Sequence, residues 1–348
     1  MTEPLGSSMS RAAEVPIEVR AYEDADEPAI LDLLRRTLGS GPGGWRSPEF
    51  FRWKHERNPF GRSFMLVAMA DAQIVGFRAF MRWRFTAGDR IVRAVRAVDT
   101  ATHPEFQRMG IFSRLTKRAL EELREETDLV FNTPNTSSGP GYLKLGWHPV
   151  GRVTVSARVR RPLRFLRGLR SAGVGGGGPS RGSIPVDAEP ARDTLADGEA
   201  VSSLLERSGL PKGRLATPKD VAFLRWRYGD APLLGYHGVR ELANGRLTGL
   251  ALFRVRPRGA LWQCSIADVI VEEGDVRTAR RLIRRAVTAA QVDYAALRPE
   301  TVAGAFRSGF VPTPGGLTFV VNPLSDGLAP DPTDRRSWAL SLGDLEVF

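Results

Sequence analysis

The chain has 348 residues, more than the ~100–200 of one ordinary domain, and therefore predicts two domains. With 42% hydrophobic and 26% charged residues it can bury cores, which excludes a wholly disordered or fibrous protein. The net charge of +11 reflects forty-five arginines beside five lysines. Because the arginines are spread along the chain and not clustered, we expect no nucleic-acid partner.

The sequence gives no indication of a membrane protein, a metal-binding protein or a disulfide-bonded protein. No apolar run reaches the ~18–20 residues of a membrane helix, and the first sixteen residues lack the apolar stretch of a signal peptide, so we expect a cytoplasmic protein. Cys264 is the single cysteine, and its apolar surroundings predict a buried thiol. Four histidines at unrelated spacings predict no metal site.

The first half alternates between strand and helix signals. Periodicity, capping residues and turns predict the order βααβββαβαβ. The predicted elements are a strand at 16–20, a helix from Asp24 to near Gly39, a helix opening at Ser47, strands at 63–70, 74–85 and 91–102, a helix from Ile111, a strand at 129–131, a short helix at 141–145 and a closing strand at 147–159.

A Gly-rich stretch at 171–183 divides the chain, and its composition is that of a flexible linker. Before it, arginines alternate with apolar residues at 158–170, which predicts a short basic helix edge that Pro162 interrupts.

The two halves resemble each other weakly. Arg-Trp segments recur at 52–54 and 225–227, and Gly76 and Gly249 have the same offset of 173 residues. Later matches show a steadily smaller offset, as short deletions would produce, so we predict a duplicated domain. The Arg-Trp segments either pack or line an acceptor pocket, and their repetition favours packing.

The segment 98–112 carries the chemical signal, because a predicted strand runs through a turn directly into a helix. The first four N–H groups of a helix lack internal partners and lie at the positive end of its dipole, so such a turn can bind phosphate. Gly110 would let a pyrophosphate approach the backbone. A purely structural turn has the same spacing and remains an alternative. His103, just before the turn, is interpreted as a turn residue.

With its element order, this half resembles the GNAT superfamily (GCN5-related N-acetyltransferases). The resemblance rests on the loop 107–112, on Asn135, and on Tyr142 four residues before Gly146. The family loop is Gln/Arg-x-x-Gly-x-Gly/Ala, so Phe112 departs from it, either narrowing the phosphate site or pointing into the domain. The resemblance implies an α/β (α+β) fold with two GNAT-like domains, each a mixed, mostly antiparallel sheet flanked by helices.

The resemblance also implies a site for acetyl-CoA or another acyl-CoA as co-substrate, with no metal. The implied coenzyme A contacts are Ala101, Thr102, Gln107, Arg108, Met109, Gly110, Ile111, Phe112 and Asn135. Backbone N–H groups around Ala101 and Thr102 would polarise the thioester carbonyl. Tyr142 is the expected general acid, with a packing role as the alternative. Asp99 is either the base or a structural residue of its strand, and the matching Asp268 in the second half favours the structural role.

The expected function is transfer of an acyl group, acetyl by default, from acyl-CoA to a primary amine of a small molecule or peptide. The predicted divisions are an N-terminus at 1–14, a catalytic domain at 15–158, a linker at 159–189, a degenerate second domain at 190–325 and a tail at 326–348. In the second domain, acidic residues at 272–277 replace the loop and Phe306 replaces the tyrosine, which predicts no catalysis there.

Two other functions stay open: an acyl-CoA sensor or assembly module without catalysis, and a Fem-like transferase that uses aminoacyl-tRNA. Release of the coenzyme A thiol from acetyl-CoA would distinguish the acyltransferase from both of these alternatives. The terminal carboxylate of Phe348 is a further group that could reach a site. The acceptor amine and the oligomeric state, including a homo-oligomer, are left undecided by the sequence.

Overall fold

A computed structural model describes residues 16–39, 46–136, 138–172, 184–209, 211, 213–302 and 304–345. Its strands form two mixed sheets of seven strands each. In spatial order, the first sheet contains β1 (Ile17–Ala21), β2 (Phe64–Ala70), β3 (Gln73–Ala87), β4 (Arg90–Thr102), β5 (Leu129–Asn132), β14 (Leu317–Pro323) and β6 (His148–Val153). The second contains β13 (Val311–Pro312), β7 (Ser156–Val159), β12 (Tyr294–Leu297), β11 (Leu261–Val271), β10 (Arg246–Arg258), β9 (Tyr236–Ala243) and β8 (Glu189–Pro190).

Helices flank both sheets, as the predicted α/β class requires. They are α1 (Glu27–Leu38), α2 (Pro48–His55), α3 (Ile111–Leu123), α4 (Gly139–Lys144), α5 (Pro162–Ala172), α6 (Ala191–Thr194), α7 (Gly198–Ser208), α8 (Val221–Leu224), α9 (Val276–Thr288) and α10 (Leu342–Leu345). The predicted element order of the first half is confirmed up to its closing strand. Pro162 begins α5 and does not interrupt a helix, because proline at a first helical position loses no hydrogen bond. No helix in the described parts of the chain is long and apolar enough to cross a membrane.

The two sheets exchange strands. The predicted closing strand at 147–159 is wrong as a single element, because β6 stays in the first sheet and β7 pairs with β12 in the second. In return, β14 lies between β5 and β6 of the first sheet. The contiguous division into 15–158 and 190–325 therefore describes the sheets only in part. Each sheet needs a strand from the other half of the sequence.

The repeated Arg-Trp segments meet at the contact between the halves. The indole Nε1 of Trp53 donates to the carbonyl oxygen of Trp226 at 2.7 Å, and the Nε1 of Trp226 donates to the carbonyl oxygen of Trp53 at 2.9 Å. Their rings stack with centroids 5.2 Å apart, and both side chains are buried. This reciprocal pair confirms the packing interpretation.

The matched glycines occupy equivalent places in the two sheets. A Cβ on Gly76 of β3 would lie 2.5 Å from a methyl carbon of Ile111 in α3. A Cβ on Gly249 of β10 would lie 2.7 Å from a methyl carbon of Thr278 in α9. In both halves the helix therefore packs so closely that the strand beneath it has no room for a side chain.

The predicted C-terminal tail is packed where it is described. In this C-terminal segment, residues 326–345, the ring of Trp338 contacts those of Phe85 and Phe319, with centroids 5.0 and 4.9 Å apart. Leu340 and Leu345 are fully buried. The expectations for residues 1–14, for most of the Gly-rich linker and for Phe348 lie outside the described residues.

Candidate active site

The loop before α3 exposes backbone N–H groups. Residues 107–110 are exposed, and Arg108 and Gly110 adopt positive φ angles of 67° and 75°. The N–H of Arg114 makes the first intrahelical bond, to the carbonyl of Gly110 at 3.0 Å. The N–H groups of residues 111–113 therefore have no acceptor inside the helix, and the first turn has no acidic side chain. This geometry suits a phosphate or another anion.

The equivalent helix of the second half is capped differently. The carboxylate of Asp275 accepts the N–H of Thr278 at 2.9 Å at the start of α9. Hydrogen bonds from the side chain and then from the backbone N–H of Thr278 lower the pKa of Asp275, so the carboxylate is ionised at neutral pH. At α9 the carboxylate of Asp275 is therefore the anion at the helix N-terminus. At α3 the N-cap residue is Gly110, which has no side chain to take that place. An external phosphate would meet repulsion at α9 and none at α3.

A gap opens between the strands that lead to this loop. Parallel pairing of β4 with β5 covers only residues 94–96 and 129–131. Beyond it, residues 97–102 pair on one side only, with β3, apart from Asp99, which is skipped in this pairing. We call the space on their other side the β4–β5 gap. Parted strands beside a helix N-terminus leave room for an extended ligand between them.

The two predicted backbone donors of β4 point in opposite directions. The N–H of His103 donates to the carbonyl of Val75 in β3 at 2.8 Å. Because N–H directions alternate along a strand, that of Ala101 also points to β3 and that of Thr102 points to the β4–β5 gap. Of the predicted pair, Thr102 alone is placed to polarise a carbonyl in the gap.

The other predicted contact residues take three kinds of position. Gln107 and Met109 are exposed on the loop. Phe112 points into the domain, where its ring lies edge-on to that of Tyr142 with centroids 5.5 Å apart, so it does not narrow the loop. The Asn135 side chain accepts the N–H of Ser138 at 2.8 Å in the turn that leads to α4. This bond gives Asn135 a structural task beside the expected ligand contact.

Tyr142 lies deep in the same domain. Its side chain is 3% exposed, and its ring also packs edge-on against Trp147 with centroids 5.2 Å apart. The hydroxyl oxygen accepts a hydrogen bond from Nη1 of Arg78 at 2.9 Å. Arg78, which the sequence prediction missed, connects the expected acid to the centre of the sheet.

Asp99 forms a β-bulge that bends β4. It is the extra residue between the pairs Ala79–Val98 and Arg78–Thr100, with φ of 39°. Its carboxylate accepts a hydrogen bond from Nζ of Lys54 at 2.7 Å. A residue with positive φ needs such fixation, since the left-handed conformation is strained for aspartate.

The surroundings of Asp99 favour the structural role over the basic one. Its carboxylate also bonds to Nε2 of His55 at 2.9 Å. Burial alone would raise the pKa of Asp99, but the charge of Lys54 and the bonds from His55 and Lys54 outweigh burial and hold this pKa well below its usual range. A carboxylate that is so stable in its ionised form is a weak base.

His55 completes a buried network that resembles a hydrolase triad in composition only. Its Nδ1 lies 3.0 Å from Oγ of Ser63. Burial lowers the pKa of His55, so the ring is neutral, and because Asp99 can only accept, Nε2 carries the proton and Nδ1 accepts from Ser63. Ser63 and His55 are buried, so no substrate reaches this serine in the described structure.

The described end of the C-terminal segment meets β4. Arg96 of β4 donates to the carbonyl oxygens of Asp344 at 2.7 Å and Leu345 at 2.8 Å, and Arg227 donates to that of Gly343 at 2.8 Å. Two buried guanidinium groups from different halves thus hold α10 by its carbonyl groups.

In the second half, a cleft of about 960 Å³ opens beside β11. Its lining includes Asp268, whose carboxylate bonds to Lys219 and Tyr228, and the acidic residues Glu272 and Glu273. Like Asp99, Asp268 is tied by a lysine. Cys264 lies elsewhere in β11, where burial raises its pKa to about 12, which confirms a buried thiol.

Comparison with known proteins identifies the first half. The family model for the acetyltransferase (GNAT) domain matches residues 18–150. Residues 18–150 form a GNAT domain. A probable N-acyltransferase of Enterococcus faecalis is similar in structure, with a TM-score of 0.58, 14% identity and coverage of 89% of this chain and 73% of that one.

Two further solved structures share the fold of this chain. A GCN5-related N-acetyltransferase from Anabaena variabilis has a TM-score of 0.60 at 12% identity, covering 89% of this chain and 73% of that one. Eis1 from Mycobacterium abscessus has a TM-score of 0.53 at 15% identity, covering 89% and 74%. No curated protein sequence matches the chain. At these identities the similarity establishes the fold, and the reaction must be argued from the site.

Proposed function

We propose that this protein is an N-acyltransferase that moves an acyl group, acetyl by default, from acyl-CoA to a primary amine of a small molecule or peptide. The observation that carries the proposal is the open N-terminus of α3 at the edge of the β4–β5 gap, within a GNAT domain. The N–H groups of residues 111–113 would hold the pyrophosphate of coenzyme A. The positive charges of Arg108 in the loop and of Arg114 in the first turn of α3 add to the attraction, and Arg114 also donates to the carbonyl oxygen of Ile17 at 2.6 Å.

In the proposal, different groups at the β4–β5 gap perform different steps of the reaction. The N–H of Thr102 polarises the thioester carbonyl while the amine attacks its carbon. Tyr142 donates its phenol proton to the sulfur as the carbon–sulfur bond breaks. Since Lys54 and His55 already engage the carboxylate of Asp99, we assign the amine proton to water and give Asp99 the task of holding the bulge.

We assign no catalysis to the second half. The carboxylate of Asp275 occupies its helix N-terminus, and neither Phe306 nor the adjacent Ala305, the two residues that match the position of the tyrosine, has a hydroxyl group. Because its sheet shares strands with the GNAT domain, its task in the proposal is to shape the side of the site from which the acceptor approaches.

One observation favours the alternative of an acyl-CoA sensor. Tyr142 is 3% exposed and packed between aromatic rings, as a purely structural tyrosine would be. A sensor would bind coenzyme A at α3 and release no thiol.

A pair of variants tests the binding half of the proposal. Gly110→Asp places a carboxylate where α9 has Asp275, and aspartate tolerates the left-handed conformation better than most residues. A like charge ~5 Å from a phosphate costs on the order of 2–3 kcal/mol at intermediate dielectric, so coenzyme A should bind more than tenfold more weakly by calorimetry. Gly110→Asn has the same shape without the charge and should bind within about threefold of the parent.

The catalytic half is tested by thiol release. The parent, incubated with acetyl-CoA and pooled amines, should release coenzyme A, and Tyr142→Phe should lower the turnover about a hundredfold without weakening binding. Saturable binding without release would favour the sensor. Absence of coenzyme A binding at millimolar ligand would refute both functions.

A further inference from the structure

Arg78 is an arginine at the centre of β3 with no exposed surface. Its guanidinium carbon lies 4.8 Å from the ring centroid of Phe80, 5.0 Å from that of Phe112 and 5.1 Å from that of Tyr142. Three aromatic rings thus surround the charge. Such contacts offset only part of the cost of removing a full charge from water.

The charge of Arg78 has no acidic partner among the described residues. Nη1 donates to two neutral oxygens, the hydroxyls of Tyr142 and Thr100, while Nε and Nη2 have no hydrogen-bond partner. A buried cation paired with neutral groups alone destabilises a fold. Stability therefore does not account for Arg78, and a function at Tyr142 would.

The direction of the hydrogen bond determines what Tyr142 can do. An arginine side chain has donors only, so the bond at 2.9 Å uses a lone pair of the phenol oxygen. The phenol proton is left for another acceptor, and no described residue accepts it. Arg78 thus fixes the oxygen while the proton stays available for transfer.

The second half offers an internal comparison. At the offset of the repeat, Ala251 of β10 stands at the place of Arg78 and is fully buried. Counted back from Gly309 as Tyr142 is from Gly146, the place of Tyr142 is taken by Ala305, and neither Ala305 nor its neighbour Phe306 has a hydroxyl group. The glycine that packs against the helix is present in both halves, so the fold forms without either partner of the pair. Arginine and tyrosine are absent together from the half that lacks an open anion site.

We propose that Arg78 is a positioning residue for proton transfer by Tyr142, and this inference rests on the proposed function. The amine forms the carbon–nitrogen bond, and the carbon–sulfur bond breaks with its electron pair going to sulfur. The sulfur takes the proton of Tyr142, and the guanidinium stabilises the phenolate left behind through the bond to its oxygen. The proton that the amine loses on becoming an amide returns to the phenolate through water, so charge and protons balance.

A double-mutant cycle tests the role. The turnover number, KM and the dissociation constant of acetyl-CoA are measured for the parent, Arg78→Met, Tyr142→Phe and the double variant, with thiol release as the readout. Arg78→Met should lower kcat about 30- to 100-fold, leave coenzyme A binding within about twofold, and have no further effect in the Tyr142→Phe background. Arg78→Lys retains a charged donor and should recover part of the loss.

A matched control comes from another buried arginine. Arg96→Met removes a guanidinium that bonds to the C-terminal segment and not to Tyr142, so its effect on kcat should be equal in both tyrosine backgrounds. Should Arg78→Met behave the same way, or raise KM with little change in kcat, its role is structural and the inference is wrong while the proposed function stands. A parent that binds coenzyme A but releases no thiol overturns the function and this inference together.

Discussion

Replacing Asp99 by asparagine tests whether its carboxylate holds the bulge of β4 or acts as the base. The side chain of Lys54 is 3% exposed, and its Nζ bonds to this carboxylate at 2.7 Å. Asp99→Asn leaves the ammonium buried without an anion. Removing one partner of a buried ion pair costs about 3–5 kcal/mol, so urea unfolding should show a loss of free energy of that size.

The pH dependence of this loss has a defined sign. The pKa of Asp99 in the folded protein lies well below its unfolded value of about 3.9, so its contribution to stability is complete above about pH 4 and disappears as the pH falls below it. The difference in unfolding free energy between the parent and Asp99→Asn should therefore be constant near neutrality and shrink in acid. Asp32→Asn, at a pair more than half exposed on both sides, should change stability by less than about 0.5 kcal/mol.

A second substitution separates structure from catalysis. Lys54→Met combined with Asp99→Asn removes both charges and should recover at least half of the lost stability, because no unpaired charge stays buried. With a structural role for Asp99, kcat should recover together with stability. If stability recovers while kcat stays as low as in Asp99→Asn, the carboxylate is the base and the reasoning above is refuted.

Three other predictions follow from the packing. Trp53→Ala and Trp226→Ala should each lower the free energy of unfolding in urea by about 3–5 kcal/mol. Their double variant should lose less than the sum, because each indole bonds to the backbone of the other residue, and strict additivity would contradict this coupling. A chain cut within 171–183 should yield halves that give cooperative unfolding only when co-expressed, since the sheets exchange strands; a first half that unfolds cooperatively alone would contradict this. Cys264 should react with a disulfide reagent only in denaturant, because its thiol is buried with a pKa of about 12.

The local parts of the fold could be predicted because local sequence determines them. The apolar spacing of α3, the turn at 86–89 and the proline after Ser47 each specify an element within a few residues. The strand exchange had no such signal. β14 is a short strand with three consecutive buried residues at its centre, and its place between β5 and β6 depends on contacts far apart in sequence.

The sequence predicted those features of the candidate site that depend on the backbone. The turn that runs directly into α3 was predicted from Gly110, and the left-handed conformation that this glycine adopts there is a local requirement of the backbone. The partners of the predicted side chains were missed: Lys54 and His55 for Asp99, and Arg78 for Tyr142. The sequence did contain a signal for Arg78. A charged residue among apolar residues of a central strand is expected to be buried, and a buried charge needs specific partners.

The two halves together separate what the fold needs from what the reaction needs. Both have an aspartate tied to a lysine on the fourth strand of the sheet, Asp99 in one and Asp268 in the other. Because the second half has this pair without an open helix N-terminus, the aspartate belongs to the architecture of the parted strands. The free N–H groups at 111–113 and the pair of Arg78 with Tyr142 occur in the first half alone among the described residues. A group that is present only where an anion can bind is a better candidate for a part in the reaction than a group found in both halves. On that ground we assign the acid to Tyr142, held by Arg78, and do not assign the base to Asp99.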